Sequence, residues 1–200
     1  MVKVKFCGLK RPCDIEWANE LRPDYAGFVF AGTKRRVNDD QAAALRQMLD
    51  PAIPAVGVFV NDSLDHIGKL VAAGTIQVVQ LHGQEDDAVI EAVQQSLNVP
   101  VIKAFSIASE DDVRQAQASR ADYILLDHGA GGTGDRFDWA LLARVDRPYF
   151  LAGGLNPENA AQAAALQPFA LDVSSGIETD GVKDKEKMKL FMARVRAYRR

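Results

Sequence analysis

Two residues with opposite proton affinities stand at the ends of short apolar runs in this sequence. Cys7 closes Val2-Lys3-Val4-Lys5-Phe6-Cys7 and is followed by Gly8, and Asp127 follows Tyr123-Ile124-Leu125-Leu126. If the first run is extended, alternation puts Lys3, Lys5 and Cys7 on one face and Val2, Val4 and Phe6 on the other. An ammonium beside a thiol favours the thiolate, so Lys5 is expected to lower the pKa of Cys7 towards neutrality and make the sulfur a base. A carboxyl among apolar groups is expected to hold its proton and act as a general acid, or to pair with a buried lysine such as Lys5; the two roles are compatible. Cys13, in a helical stretch, reads as packing, and no multi-cysteine spacing suggests a disulfide framework or a zinc site.

Glycine supplies the second signal. Ala152-Gly153-Gly154-Leu155-Asn156-Pro157 and Asp172-Val173-Ser174-Ser175-Gly176 each follow an apolar run, and both offer backbone N–H groups that a phosphate can approach closely. Gly153, Gly154, Ser174, Ser175 and Gly176 are therefore candidate phosphate ligands, and a small phosphorylated substrate is implied. The run Gly129-Ala130-Gly131-Gly132-Thr133-Gly134 lacks the Gly-Lys-Ser/Thr ending of a nucleotide loop and reads as a mobile loop at the site. His66, His82 and His128 show no metal-ligand spacing; His66 falls on a helix and is expected at the surface.

These groups need a scaffold that gathers distant strand ends. Short β-rich runs occur at residues 2–6, 25–30, 55–60, 77–81, 100–105, 122–126, 148–151 and 169–173, their starts 21 to 30 residues apart. Helical patterns fall between them at 14–21, 40–49, 64–73, 85–97, 110–119, 139–145, 158–166 and 184–198. Asp39, Ser63 and Asn156-Pro157 mark helix starts, and Gly74 marks a helix end. Eight β/α units imply parallel strands, either in an open doubly wound sheet or in a closed (β/α)8 TIM barrel.

Closure is favoured. A central strand of an open sheet is apolar on both faces, whereas a barrel strand can send a few polar groups inward near the mouth. Lys5, Gln80, Lys103, Asp127 and Asp172 are expected to point inward in this way. The chain reads as a single domain spanning 1–200, about 25 residues per unit, which is compact for this fold.

With a net charge of −3 and no apolar run long enough to span a bilayer, neither nucleic acid nor membrane is an expected partner. The alternating N-terminus does not read as a signal peptide, so the cytosol is the expected location. Eight of the 24 basic residues lie between Lys183 and Arg200, read as the solvated face of a C-terminal helix.

Taken together and in order, the motifs resemble those of phosphoribosylanthranilate isomerases, barrel enzymes of tryptophan biosynthesis. The similarity runs through Lys5-Phe6-Cys7-Gly8-Leu9, Gly27-Phe28-Val29-Phe30, Val56-Gly57-Val58-Phe59-Val60-Asn61 and Val79-Gln80-Leu81-His82-Gly83. It continues through Leu125-Leu126-Asp127, Gly131-Gly132-Thr133-Gly134 with Phe137-Asp138-Trp139, Gly153-Gly154-Leu155-Asn156-Pro157-Glu158-Asn159, and Asp172-Val173-Ser174-Ser175-Gly176-Ile177-Glu178.

The resemblance implies an Amadori rearrangement with no cofactor and no metal. Asp127 is then the acid that protonates the furanose ring oxygen and Cys7 the base at C2′. His82 and Asp172 match substrate-binding positions at the mouth, and the enzyme is expected as a monomer or homodimer. The second loop departs from the family pattern: Phe30-Ala31-Gly32-Thr33-Lys34-Arg35-Arg36-Val37 lacks the proline and carries arginine where an aromatic residue belongs. The Thr33-x-Arg35 register assigns the anthranilate contact to Arg35, with Arg36 as the alternative. His128 stands where a small hydroxyl residue often follows the acid. Competing readings are a metal-dependent epimerase using His82, Asp127 and His128, an aldolase forming a Schiff base on Lys103, and a barrel that only binds phosphorylated ligands.

Overall fold

The computed structural model describes residues 1–127 and 139–198. His128, the run 129–134 and Phe137-Asp138 lie outside the described residues.

Eight parallel strands close into a barrel in chain order: β1 (Lys3–Cys7), β2 (Tyr25–Val29), β3 (Ala55–Phe59), β4 (Val78–Leu81), β5 (Val101–Ser106), β6 (Tyr123–Asp127), β7 (Tyr149–Leu151) and β8 (Ala170–Val173). Closure is made by β1, which pairs with β2 on one side and with β8 on the other, putting Lys5 opposite both Tyr25 and Asp172. The strands lie within one residue of their expected bounds at each end.

The alternation on β1 reads as expected. Val4 and Phe6 join the outer core between barrel and helices, where Leu9, Ile15, Phe28, Phe59 and Leu81 also pack. The interior is filled separately by Val56, Val78, Ile102, Leu125, Phe150 and their neighbours. Burying two apolar layers at about 25 cal/mol per Å² is the main force holding the strand ends in register.

Lys103 departs from expectation. Ile102 and Ala104 fill the interior, so Lys103 on the same strand points outward. Its ammonium donates to the Gly83 carbonyl at 2.7 Å and meets Glu85 at 3.3 Å. Glu85, expected as the first residue of a helix, is instead a buried clamp that accepts from the Asn61 amide at 2.6 Å and the Gly83 amide at 2.8 Å.

Among the described residues seven α-helices surround the barrel: α1 (Pro12–Leu21), α2 (Asp39–Met48), α3 (Leu64–Ala72), α4 (Asp87–Leu97), α5 (Glu110–Ala118), α6 (Ala160–Ala165) and α7 (Lys185–Ala197). Capping side chains set their starts. Asn38, not the expected Asp39, caps α2 by accepting from the Gln41 amide at 2.8 Å. Ser63 caps α3 and Asp86 caps α4, while Gly74, at φ 70°, closes the end of α3.

The expected helix at 158–166 is shorter. Asn156 and Asn159 exchange side chain to backbone hydrogen bonds at 3.0 Å, holding a turn that delays α6 to Ala160. The stretch Trp139–Arg144 is a 3-10 helix. A small hairpin, β9 (Glu178–Thr179) with β10 (Val182–Lys183), precedes α7. Lys183 is therefore outside the helix and buried, not on its solvated face. No helix among the described residues is long and apolar enough to cross a membrane.

Candidate active site

A cavity of about 380 Å³ opens at the C-terminal ends of the strands. Cys7 from β1, Asp127 from β6 and Asp172 from β8 all line it, although they are far apart in sequence. Its wall also includes Arg35, His82, the Gly153-Gly154 pair, Ser174 and Ser175.

Cys7 fits because β2 carries glycine beside it. A Cβ on Gly27 would lie 3.0 Å from the Cys7 sulfur and 3.3 Å from Lys5 Cε. Lys5 is fully buried, and its ammonium donates to Asp172 Oδ2 and Gln80 Oε1, each at 2.8 Å. The carboxylate paired with Lys5 is thus Asp172. Burial works against the lysine's charge, but Asp172 and the Cys7 sulfur outweigh it and the ammonium's pKa is raised.

The thiol moves opposite to the sequence expectation. Burial pushes the Cys7 pKa up, Asp172 adds to the rise, and the nearby ammoniums of Lys5 and Lys183 only partly offset it. The free site therefore holds mainly a thiol.

From Lys5 a polar chain crosses the mouth. Gln80 joins it to His82, its Nε2 lying 3.0 Å from His82 Nδ1, and His82 Nε2 lies 3.8 Å from Asp127 Oδ2. Burial and the Lys5 charge depress the imidazole's pKa, so His82 is neutral near pH 7. Asp172 Oδ1 is buried with no hydrogen-bond partner among the described residues. Such an acceptor normally costs about 1–3 kcal/mol and suits a ligand hydroxyl.

The loops after β7 and β8 bring glycines and serines to the cavity wall. Gly153 and Gly154 both adopt left-handed backbone, with φ 85° and 62°, which exposes their amides to the cavity at no Cβ penalty. Gly176 carries a packing constraint of its own: a Cβ there would run into the Leu155 carbonyl oxygen. Glycine at 176 thus lets the loops after β7 and β8 touch.

Arg35 lines the cavity; Arg36 is exposed and bridges Val29 through its backbone. A bidentate pair with Glu178, at 2.7 and 2.9 Å, fixes the Arg35 guanidinium. Its chain passes over Gly8, where a Cβ would meet Arg35 Cδ at 2.6 Å and where φ is 78°. Glu178 also accepts from Lys183 at 2.6 Å, and Lys183 donates to the Ser174 carbonyl at 2.9 Å and hydroxyl at 3.2 Å.

Sequence reasoning left Glu178 and Lys183 without a role. The signal for Lys183 was Asp184: a helix cap there places the preceding lysine outside the amphipathic period. Asn61, the last residue of the third motif, serves the loop clamp by accepting from the Gln84 amide at 2.8 Å. His66 is not simply a surface residue either. It sits between Asp62 at 2.8 Å and Asp39 at 3.0 Å and packs edge-on against Phe30 and Phe59.

Among the described residues no three His, Cys, Asp or Glu side chains gather as a metal ion requires. The outward Lys103 lies off the cavity wall and is out of place for a Schiff base with a substrate held there.

A family model described as N-(5′-phosphoribosyl)anthranilate isomerase matches residues 4–194. The chain belongs to the N-(5′-phosphoribosyl)anthranilate isomerase family. It is 47% identical over 193 residues to the N-(5′-phosphoribosyl)anthranilate isomerase of Endomicrobium trichonymphae, covering 94% of this chain and 95% of that one. The crystal structure of phosphoribosyl anthranilate isomerase from Thermotoga maritima superposes with a TM-score of 0.91 at 37% identity, covering 99% of this chain and 100% of that one. A second solved isomerase, in complex with reduced 1-(o-carboxyphenylamino)-1-deoxyribulose 5-phosphate, gives a TM-score of 0.88 at 35% identity with the same coverage. Membership in this isomerase family agrees with the closed barrel and with the motif order read from the sequence.

Proposed function

We propose that the chain converts N-(5′-phosphoribosyl)anthranilate to 1-(2-carboxyphenylamino)-1-deoxyribulose 5-phosphate in tryptophan biosynthesis, with Asp127 as acid and Cys7 as base. The reading is carried by one observation: a thiol and a carboxyl from β1 and β6 line the same cavity as two left-handed glycines and the ion-paired Arg35. Asp127 gives its proton to the ring oxygen while the substrate nitrogen's lone pair forms the C1′=N bond, so the C1′–O bond breaks and a cationic Schiff base results. That cation favours loss of the Cys7 proton to water, and the resulting thiolate removes the C2′ proton. The C–H electrons become the enolamine double bond, and tautomerisation gives the ketone.

Gly153, Gly154, Ser174 and Ser175 hold the phosphate, with Lys183 adding charge behind Ser174. Arg35, aimed by Glu178, takes the anthranilate carboxylate bidentately. The open Asp172 Oδ1 takes a ribose hydroxyl, and His82 lies beside the acid. The reaction only relocates protons within one molecule, so it requires no cofactor or metal. Residues 1–200 acting as one domain in the cytosol, as a monomer or homodimer, belong to the same proposal.

Purified protein is expected to consume the fluorescent substrate at the same rate with and without a chelator. Cys7→Ala and Asp127→Asn are each expected to lower kcat by about 10²–10⁴-fold with the far-UV spectrum unchanged. Full rates in both variants would overturn the assignment.

A further inference from the structure

The amide of Gln80 has only one orientation that satisfies both its neighbours. It is buried on β4 between the Lys5 ammonium, 2.8 Å from Oε1, and His82 Nδ1, 3.0 Å from Nε2. An ammonium has donors only, so the amide oxygen must face Lys5. The NH2 group then faces His82, and because it too only donates, Nδ1 must accept. The imidazole hydrogen is left on Nε2, the nitrogen nearest Asp127, 3.8 Å from Oδ2. An imidazolium would set N–H against N–H at Gln80.

We propose that Gln80 is a positioning residue: it holds His82 as the neutral Nε2–H tautomer, which in turn orients the Asp127 carboxyl. The separation of 3.8 Å is longer than a hydrogen bond, as catalytic contacts often are without substrate. Neutrality is what matters to the chemistry. A cation within this distance makes a carboxyl about 10- to 1000-fold more acidic and would strip Asp127 of the proton it must deliver. Among the described residues, the charged groups that act on His82 are Lys5 from β1, Asp172 from β8, Lys103 from β5, Glu85 from the segment after β4, and Asp127 from β6. Burial lowers the imidazole's affinity for a second proton and acts in the same direction as the Gln80 amide.

The inference rests on Asp127 being the acid, but its first readout does not. In ¹⁵N-histidine NMR of the full chain, with His82 assigned by the signal lost in His82→Asn, we expect a pyridine-type Nδ1 and a pyrrole-type Nε2 at neutral pH. Gln80→Glu keeps an acceptor for Lys5 and sets a carboxylate beside Nδ1, whose negative charge favours the imidazolium against burial, so both ring nitrogens are expected to become pyrrole-type. In the same variant kcat falls at least about tenfold with little change in KM, and the limb of the pH profile set by Asp127 moves to lower pH.

A pyrrole-type Nδ1 in the wild type overturns the proposal. So does a folded Gln80→Glu protein whose imidazole signals, or whose kcat and pH profile, are unchanged. If that variant does not fold, the wild-type spectrum decides alone. A fully active Asp127→Asn protein would sink the acid assignment while leaving the tautomer result standing.

Discussion

Lys3 and Lys5 stand two positions apart on one strand and turn to the same side of it, yet the barrel treats them as different kinds of residue. Lys3, at the closed end, lies 4.4 Å from the centre of the Phe169 ring and 5.7 Å from that of Tyr25. Around it Tyr25, Tyr123, Phe150 and Phe169 form a layer of rings whose contacting centroids are 4.6 to 5.7 Å apart. Lys5, one pleat nearer the mouth, is sealed between a carboxylate and an amide. The closed end holds its cation through π faces and packing, which tolerate loss of charge. The mouth holds its cation through directional partners that become costly when any one is removed.

The largest contrast is therefore expected between the two lysines. Lys5→Met leaves Asp172 buried without its cation and should cost about 3–5 kcal/mol of stability, with activity lost. Lys3→Met should cost about 0.5–1 kcal/mol and leave kcat unchanged. Denaturant unfolding compares the two. The double variant Lys5→Met with Asp172→Asn is expected to recover much of the stability and none of the activity, which separates support from chemistry. Equal costs for the two single variants would erase the distinction between the ends.

Phe150→Ala tests the closed end from the other side. Removing this fully buried ring should cost about 3–5 kcal/mol, similar in stability to the Lys5 change. Below its lowered melting temperature, the folded variant should retain its KM and kcat per active site. A KM raised tenfold would mean that the aromatic layer sets the geometry of the mouth as well as its stability.

The same contrast explains what was legible in the sequence. The inward set of β1 declared itself because each polar residue alternates with an apolar one. On β5, Val101-Ile102-Lys103-Ala104-Phe105 is apolar on both sides of the lysine, so the pattern has no phase and Lys103 was assigned to the wrong face. Cys7 and Asp127 were visible as polar strand ends. The direction of the thiol's shift was not, because Lys5 is a neighbour in sequence while the burial opposing it comes from the whole barrel.

Gly176 illustrates a different limit. A glycine exposing its amide and a glycine admitting a neighbouring backbone look alike until the Leu155 carbonyl is in place. Arg35 was found by register, but Glu178, which aims it, lies 143 residues away and no local pattern joins them.

The smallest expected effect concerns that pair and a stimulus the closed end should ignore. Burial tends to raise the Glu178 pKa, but Arg35 and Lys183 prevail and bring it down to about 2, from an ordinary value of 4.5. A folded value below the unfolded one means the carboxylate stabilises the fold fully above about pH 4.5, and that its share disappears as the pH falls towards 2. Within that window β9 and β10 lose the ionic partner of Arg35 and Lys183, while the ring layer around Phe150 rests on contacts that do not involve Glu178. Unfolding curves for wild type and Glu178→Gln should thus be well separated at about pH 6 and converge towards about pH 2. Tyrosine fluorescence from the closed end should keep its native signature through the same titration. A gap that stays constant down to pH 2 would mean the charge of Glu178 contributes nothing, and that the mouth holds Arg35 by packing, as the closed end holds Lys3.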